Sequence, residues 1–437
     1  MIDKEHQQIL GLLAARGLAS SADIQHSTGY SQPTVSRLLA ALSKDVVQVG
    51  RARRARYGLP KSIHGLPAQQ PLWWTDEDGA AKRMGTLTLM ARDVVHVEAD
   101  FGDATSRDAL PWFLTPLQAQ GFLGRLLAQR LAPQGVGADP HRWGVESVLF
   151  AALQLHDGPG AITLGEPNPA PAHDVLPTDA ARLPAALDAL SQDVAHTLPA
   201  GSSAAGEQPK FLAMFEDHRH VLVKFTPPRG TPFGDRWRDL LHAERLASAV
   251  LAAHGVPVAT THVVESSRRA YLLSERFDRV GKQGRRHVVS VGAAHDAFVP
   301  APSFSHWGSV CEALARQRRL SENDAQRATA LLQFGKLIGN SDMHSGNLSL
   351  FVQAQDLGRG RFTLAPLYDM LPMRWRPDPA LGGAPDYAPF EPDAASAAGP
   401  AAASAREFWA RLAELGDVSA ALRRVANQMQ QRLRAAR

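Results

Sequence analysis
Cysteine is almost absent: Cys311 is the one thiol in 437 residues. No internal disulfide can form, and a reducing compartment is the natural setting. The sequence also lacks the Cys/His spacing of a zinc site and any HExxH pattern. It lacks an apolar run long enough to cross a bilayer, and its first residues lack a charged-then-apolar leader. A cytoplasmic protein with no membrane partner is therefore expected. No GxxxxGK[ST] loop occurs, which excludes a nucleotide site built on that phosphate cradle. A large net charge is missing too, at +4 overall. A hydrophobic fraction of 44% and a charged fraction of 21% describe a globular chain, long enough for about two to four domains.

The charge that is present is unevenly placed. Residues 1–64 carry nine Lys/Arg against four Asp/Glu, a net of +5, and the other 373 residues net −1. A basic excess in one small module points to nucleic acid. Residues 5–15 read as a helix with Ile9, Leu12 and Leu13 apolar, ended by Gly17. Ser21 reads as the cap of a second helix through His26. Ser31 reads as the cap of a third over 32–42, with Pro33 in its first turn, where a missing N–H does no harm. The third helix puts Val35, Leu38, Leu39 and Leu42 inside and leaves Gln32, Thr34, Ser36 and Arg37 outside. Residues 46–49 and a basic hairpin carrying Arg51, Arg53, Arg54 and Arg56 follow. This is the order of a winged helix-turn-helix, and the segment resembles winged-helix regulators. In that geometry the four outward residues reach base edges of double-stranded DNA, and the wing arginines meet phosphates or enter a minor groove. Such modules often read paired half-sites, so a homodimer is expected. A solvated basic hairpin on a protein-interaction module would have the same composition. Residues 61–71, broken by Gly65, Pro67 and Pro71, read as a linker.

The densest chemistry lies in Gly339-Asn340-Ser341-Asp342-Met343-His344-Ser345-Gly346-Asn347 and in Pro366-Leu367-Tyr368-Asp369. Phosphoryl transfer needs a carboxylate near the acceptor hydroxyl and oxygen ligands for the Mg²⁺ that bridges the phosphates. Asp342 suits the first task, and Asn347 and Asp369 the second. An Asp followed five residues on by an Asn is the spacing of a kinase catalytic loop. Strands expected at 348–352 and 361–365 then carry the chain to the second acid. Leu331, Phe334, Leu337 and Ile338 share one face of the preceding helix, which Gly339 can end. Asp, Asn, Ser and Gly also fill ordinary turns, so the loop gains weight from the parts upstream.

Those parts begin with the small residues of 201–210, Ser203 and Gly206 among them, which let backbone N–H groups approach phosphate oxygens. Strands follow at 211–215 and 220–225. Lys224 ends the second, on the face of Leu222 and opposite Val221 and Val223. It can grip the phosphates of ATP, or simply snorkel at a strand end. A helix over 235–253 supplies Glu244 as a candidate to position that lysine, with Asp239 as another. Residues 271–278 read as a strand running into a hinge that offers backbone groups to adenine. From there to Ile338 the pattern reads as helical, 381–404 as a long Ala/Pro/Gly loop, and 406–415 and 418–434 as closing helices. In the middle of the chain, 85–89 and 94–97 read as a hairpin, 118–130 and 142–155 as helices, and 165–177 as a connection, with no catalytic constellation.

In this order the parts resemble the HipA family of toxin serine/threonine kinases of bacterial toxin–antitoxin systems, over residues 80–435. The resemblance rests on Ser203-Ala204-Ala205-Gly206-Glu207-Gln208-Pro209-Lys210, on Ser274-Glu275-Arg276-Phe277-Asp278-Arg279, and on the two motifs around Asp342 and Asp369. The fused winged helix and Gly121-Phe122-Leu123-Gly124-Arg125 are similar to the YjjJ-type branch. The resemblance implies an α+β, bilobal protein-kinase-like (HipA-like) fold behind the N-terminal winged helix-turn-helix. The expected domains are 1–64, 72–195 (a HipA-like N-terminal subdomain) and 196–437 (kinase-like). It implies ATP and Mg²⁺ as cofactors and a protein serine or threonine as acceptor. Asp342 matches the catalytic aspartate, with His344 beside it in the catalytic loop. Asn347 and Asp369 match the metal ligands, and Lys224 the phosphate-binding lysine. Glu275 and Phe277 match the residues whose main chain meets adenine. Ser203 matches the loop serine that autophosphorylates and shuts the kinase down by charge and bulk. In the family the DNA-binding antitoxin is a separate protein; here the N-terminal module could supply that function in cis. Two other readings stay open: a DNA-binding transcription regulator whose kinase-like part senses nucleotide without transfer, and a small-molecule kinase of the aminoglycoside or sugar type.

Overall fold
The computed structural model describes residues 4–50, 52–155, 157–167, 174–197, 208–378 and 383–435. Its backbone divides into two units. One comprises Met1–Asp76, Ala80–Gln120 and Leu127–Pro171; the other comprises Glu77–Gly79, Gly121–Leu126 and Ala172–Arg437.

The first unit opens with α1 (Lys4–Arg16), β1 (Leu18–Ser20), α2 (Ser21–Thr28), α3 (Gln32–Ala41), β2 (Val47–Val49) and β3 (Arg56–Gly58). Ser20, not Ser21, caps α2: its hydroxyl accepts from the Asp23 N–H while the Asp23 carboxylate accepts from the Ser20 N–H, a reciprocal capping box. Ser31 caps α3 by accepting from the Thr34 N–H, and Pro33 sits in the first turn. Ile9, Leu13, Ile24, Val35, Leu38, Leu39 and Leu42 close one core. The strands pair in the order β1-β3-β2, a small sheet beside the three helices. Strand β1 has three residues, too few to show an alternation.

Next come β4 (Gln69–Thr75), β5 (Ala81–Met90), β6 (Val94–Ala99), β7 (Gly102–Arg107), α4 (Gly121–Leu131), α5 (Val145–Leu153) and β8 (Ile162–Leu164). The strands build an antiparallel sheet ordered β7-β6-β5-β4-β8, with the expected hairpin inside it. Residues 61–71 are no linker. Ile63 is fully buried and the Lys61 N–H donates to Leu89 O. Lys61 Nζ lies 2.7 Å from Asp93 and 2.9 Å from Glu146. Val49, Met90 and Val94 share a core cluster with Leu18 and Val47 against it, and the Gly50 N–H donates to Glu98 at 2.9 Å. The wing therefore packs directly on β5 and β6.

The second unit holds β9 (Val175–Leu176), α6 (Leu183–Thr197), β10 (Lys210–Phe215), β11 (His220–Phe225), α7 (Pro232–Ala253), β12 (Thr261–Glu265) and β13 (Ala270–Glu275). These strands run β12-β13-β11-β10-β9, antiparallel except for β9 on β10. Phe211, Val221, Val223 and Phe225 meet Leu187 of α6 on one face, and Leu272 meets Leu241 of α7 on the other. Lys224 pairs with Leu272 in register, so strand alternation turns it toward α7.

Residues 279–290, expected to be helical, instead form β14 (Arg279–Val280), β15 (Gly284–Arg285) and β16 (Val288–Ser290). Strands this short carry no readable period. Then follow α8 (Val291–Phe298), α9 (Trp307–Arg316), α10 (Glu322–Ile338), β17 (Ser349–Phe351), β18 (Thr363–Leu364), α11 (Ala394–Ala397), α12 (Ala402–Glu414) and α13 (Ala420–Ala435). Strands β16, β17 and β18 form one antiparallel sheet. The expected loop at 381–404 is partly ordered by aromatic packing. Tyr387 and Phe390 lie 5.4 and 6.2 Å from the buried Trp375 ring, and the Trp409 indole of α12 donates to Leu337 O of α10 at 3.0 Å. A strand-rich lobe followed by a helix-rich lobe makes the α+β, kinase-like fold. Among the described residues no helix is long and apolar enough to cross a membrane.

Candidate functional site
Helix α10 ends where the site begins. Gly339 takes φ +76°, and a Cβ there would meet the Phe390 ring at 3.0 Å, so both backbone and space call for glycine. The loop beyond is tied at nearly every residue. Asn340 Oδ1 accepts from the Asp342 N–H at 3.0 Å, and the Asn347 side-chain amide donates to the Asp342 carbonyl at 2.7 Å. His344 Nδ1 accepts from the Gly346 N–H at 3.0 Å, so a neutral ring carries its proton on Nε2. The Trp307 indole of α9 donates to His344 O at 2.9 Å, and the Tyr368 hydroxyl donates to Gly346 O at 2.9 Å. The Asp342 carboxylate is half-buried and accepts no hydrogen bond among the described residues. The Asp342 backbone is held in place at both the N–H and the carbonyl.

The second component is a buried ion cluster. Lys224 Nζ lies 2.6 and 2.8 Å from Glu244 Oε1 and Oε2 and 2.6 Å from Asp369 Oδ1. The Lys224 and Glu244 side chains are 4% and 2% exposed and Asp369 is 27% exposed. Burial alone would drive the ammonium toward neutrality; Asp369 and Glu244 override it and hold Lys224 charged, above its ordinary range. Burial raises the Glu244 carboxyl, outweighing the pull of Lys224. Burial would raise Asp369 as well, but Lys224 and Lys210 bring it below the usual carboxylate range, with His344 adding to the effect. Asp369 sits at φ +54°, a strained setting for a side chain and one common at working sites. Asp239, the other helix acid considered, is engaged elsewhere: it accepts from Tyr387 OH at 2.8 Å and from the Ser419 N–H at 2.8 Å.

Lys210 was not singled out by sequence reasoning. It lies directly opposite Lys224 across β10 and β11, and its charge reaches both Glu244 and Asp369. Its only sequence signal is its place at the end of the small-residue loop, and its role depends on a register invisible before the strands are paired. Glu275 and Phe277 leave β13 at the rim. The Glu275 N–H already donates to Thr260 O and its carboxylate meets Arg219 at 2.9 Å. Main-chain contacts to a base would thus fall to the Glu275 carbonyl and the Phe277 N–H. The Phe277 ring tilts over Tyr368 at 5.6 Å, beside Asp369.

Asn347 donates through its nitrogen, so its Oδ1 remains an acceptor, and Asp369 keeps Oδ2 beyond its bond to Lys224. One amide oxygen and one carboxylate are hard donors that suit Mg²⁺, which keeps waters and takes its other ligands from substrate phosphates. Among the described residues no group of three or more His, Cys, Asp or Glu is placed to hold a metal ion.

Ser203 and Gly206 lie outside the described residues, as does Arg51, and of Arg53 only the backbone is described. On the first unit, Gln32, Ser36 and Arg37 are exposed on α3 and Thr34 is half-buried, while Arg54 and Arg56 are exposed in the wing. Arg37 rests 3.8 Å from Glu5.

Residues 202–437 match the family described as HipA-like C-terminal domain, and residues 66–171 match that described as YjjJ-like toxin, middle domain. The protein called Toxin YjjJ of Escherichia coli (strain K12) is 34% identical over 441 aligned positions, covering 97% of this chain and 96% of that protein. One chain of the Shewanella oneidensis MR-1 toxin–antitoxin complex of HipA, HipB and operator DNA matches 84% of this chain and 96% of its own length. Its TM-score is 0.57 at 18% identity, a likeness of fold.

Proposed function
We propose, from the premise that this chain belongs to the HipA-like toxin family in the branch with the YjjJ-like middle domain, that it is an ATP- and Mg²⁺-dependent protein serine/threonine kinase with its own DNA-reading domain. The observation that carries the reading is Lys224 clasped between Glu244 and Asp369, with contacts of 2.6 Å to each. A phosphotransferase needs a cation for the phosphates, an acid to fix that cation, and a second acid that can also hold a metal. Asn347 and Asp369 would hold Mg²⁺, which when bound neutralises charge on the transferring phosphoryl group. Lys224 grips the phosphates of ATP. Asp342, its backbone pinned by Asn340 and Asn347, orients the acceptor hydroxyl and takes its proton as the new O–P bond forms and ADP departs. A phosphoserine at Ser203 would add a bulky dianion to the small-residue loop, driving the loop from the ATP site by charge and bulk and silencing the enzyme.

For the first unit we read α3 as the helix that enters the major groove, with Arg54 and Arg56 on the backbone. The Shewanella relative is seen with HipB and operator DNA; by analogy an antitoxin protein and a DNA operator are proposed partners here.

The test is incubation with γ-labelled ATP and Mg²⁺, followed by mass spectrometry of the intact protein, for the parent, Asp342→Asn and Ser203→Ala. Phosphate on Ser203 in the parent and none in Asp342→Asn is expected. Bound ATP with no transfer in either would favour a nucleotide-sensing regulator. Turnover on a sugar or aminoglycoside with no labelled protein would favour a small-molecule kinase.

A further inference from the structure
The segment just after Asp369 serves none of the roles above, yet it is built with care. It borders a cavity of about 430 Å³ lined by Ser341, Arg374, Arg376, Asp378 and Pro385. Ser341, which directly precedes Asp342 in the chain, lines this cavity, so the loop that carries Asp342 forms part of its wall. Its wall is fixed to that loop: the Arg374 N–H donates to Gly339 O at 3.0 Å. A second brace comes from α7. Arg236 Nη1 donates to Trp375 O at 2.9 Å and to Pro385 O at 2.6 Å, and its guanidinium lies 3.8 Å from the Tyr387 ring centroid. Trp375 is buried against Trp409 and Phe390. With Trp375 turned inward, its neighbours Arg374 and Arg376 are both turned out and exposed. Arg374 is steadied 4.6 Å from the Phe390 ring centroid. Among the described residues neither arginine has a carboxylate within 4.0 Å.

We propose that Arg374 and Arg376 form an acceptor subsite for carboxylates, and that the enzyme selects serines or threonines flanked by acidic residues. The inference rests on the protein-kinase reading above. A guanidinium fork fits a carboxylate in two parallel hydrogen bonds, and two forks held on a braced wall can read an acidic side chain beside the hydroxyl that Asp342 orients. The lining also contains Asp378, which already has a partner. Its charge disfavours a polyphosphate backbone, which would call for an all-cationic track, while the two arginines still outweigh it and leave a net positive wall for a single acidic side chain.

The experiment uses the full chain and two fluorescein-labelled peptides, one with a serine flanked by glutamates and one with the same serine flanked by lysines. Binding is read by fluorescence anisotropy for the parent, Asp342→Asn, Arg374→Glu/Arg376→Glu and the milder Arg374→Gln/Arg376→Gln. Circular dichroism melts check that each variant is folded. The parent and Asp342→Asn should bind the glutamate peptide, and charge reversal should weaken it at least about tenfold, the loss of one charge-assisted contact or more. The lysine peptide should respond in the opposite direction, and the Gln variant should lose the preference without reversing it. Equal binding of the two peptides by the parent, or no response to charge reversal, overturns the proposal. So does displacement of the glutamate peptide by a single-stranded oligonucleotide that needs the same arginines. Labelled-phosphate transfer separates the two levels. Equal transfer to both peptides removes the subsite and keeps the kinase. Arginine-dependent binding of the glutamate peptide with no transfer by the parent removes the kinase reading and keeps the subsite.

Discussion

Replacing Lys224 by Met tests the ion cluster most directly. The substitution keeps the apolar stem and deletes the ammonium. Glu244 and Asp369 each stand 2.6 Å from the lost nitrogen, so their oxygens would face each other across no more than about 5 Å, a repulsion of about 3 kcal/mol at an effective dielectric near 20. Deleting one member of a buried ion pair costs about 3–5 kcal/mol in general, and the two figures agree. The cost should fall with pH. Glu244 is already raised in the parent, by burial first, and without Lys224 its folded pKa moves higher still. A carboxyl raised above its unfolded value destabilises most at pH above the folded value. That penalty is relieved as pH drops through it, by about 1.4 kcal/mol per pH unit. Urea unfolding of the full chain should be followed by pulsed hydrogen exchange over β11 and α7, so that the second unit is read by itself. The gap between parent and Lys224→Met should be about 3–5 kcal/mol near pH 8 and clearly smaller near pH 5. An equal gap at both pH values, or a variant as stable as the parent near pH 8, would refute the reasoning.

Other outcomes follow from the cap and the wing. Gly339→Ala must hold φ +76° with a Cβ 3.0 Å from the Phe390 ring. It should lose about 1–2 kcal/mol from the backbone alone, seen as a lowered midpoint in the same urea experiment. Arg54→Ala and Arg56→Ala remove exposed wing cations. Each should lower the slope of log affinity for double-stranded DNA against log salt by about one, whereas Gln32→Ala should alter sequence preference with the slope unchanged; filter binding across a salt series checks both.

The parts of the site that were legible from sequence are the local ones. Asp342 and Asn347 fall in one loop, and their spacing alone forces them together. The Lys224 face followed from strand alternation, and the observed register agrees. Sequence puts Glu244 forward as the partner of Lys224 and leaves Asp239 open beside it, and the structure pairs Glu244 with Lys224. The two lie five positions apart on one helix, and which side faces the sheet depends on how α7 packs; Asp239 turned out to serve Tyr387 and Ser419. Lys210 was missed for a related reason, since it matters only through its pairing with Lys224. The short strands β1 and β14–β16 were invisible or read as helix because two or three residues hold no period. The supposed linker at 61–71 misled because Gly and Pro mark bends as well as free chain; here the bends tuck Ile63 into the interior.

The seam between wing and sheet has a consequence for how such proteins can be rearranged. Val49 is shielded by Met90 and Val94, and Lys61 is matched by Asp93 and Glu146. A gene fusion that transplanted residues 1–64 alone would carry an uncovered apolar strip, the kind of patch that makes a protein stick to its neighbours. The portable cassette is therefore the N-terminal module together with its sheet, and a lineage that exchanged such modules would have to exchange both at once.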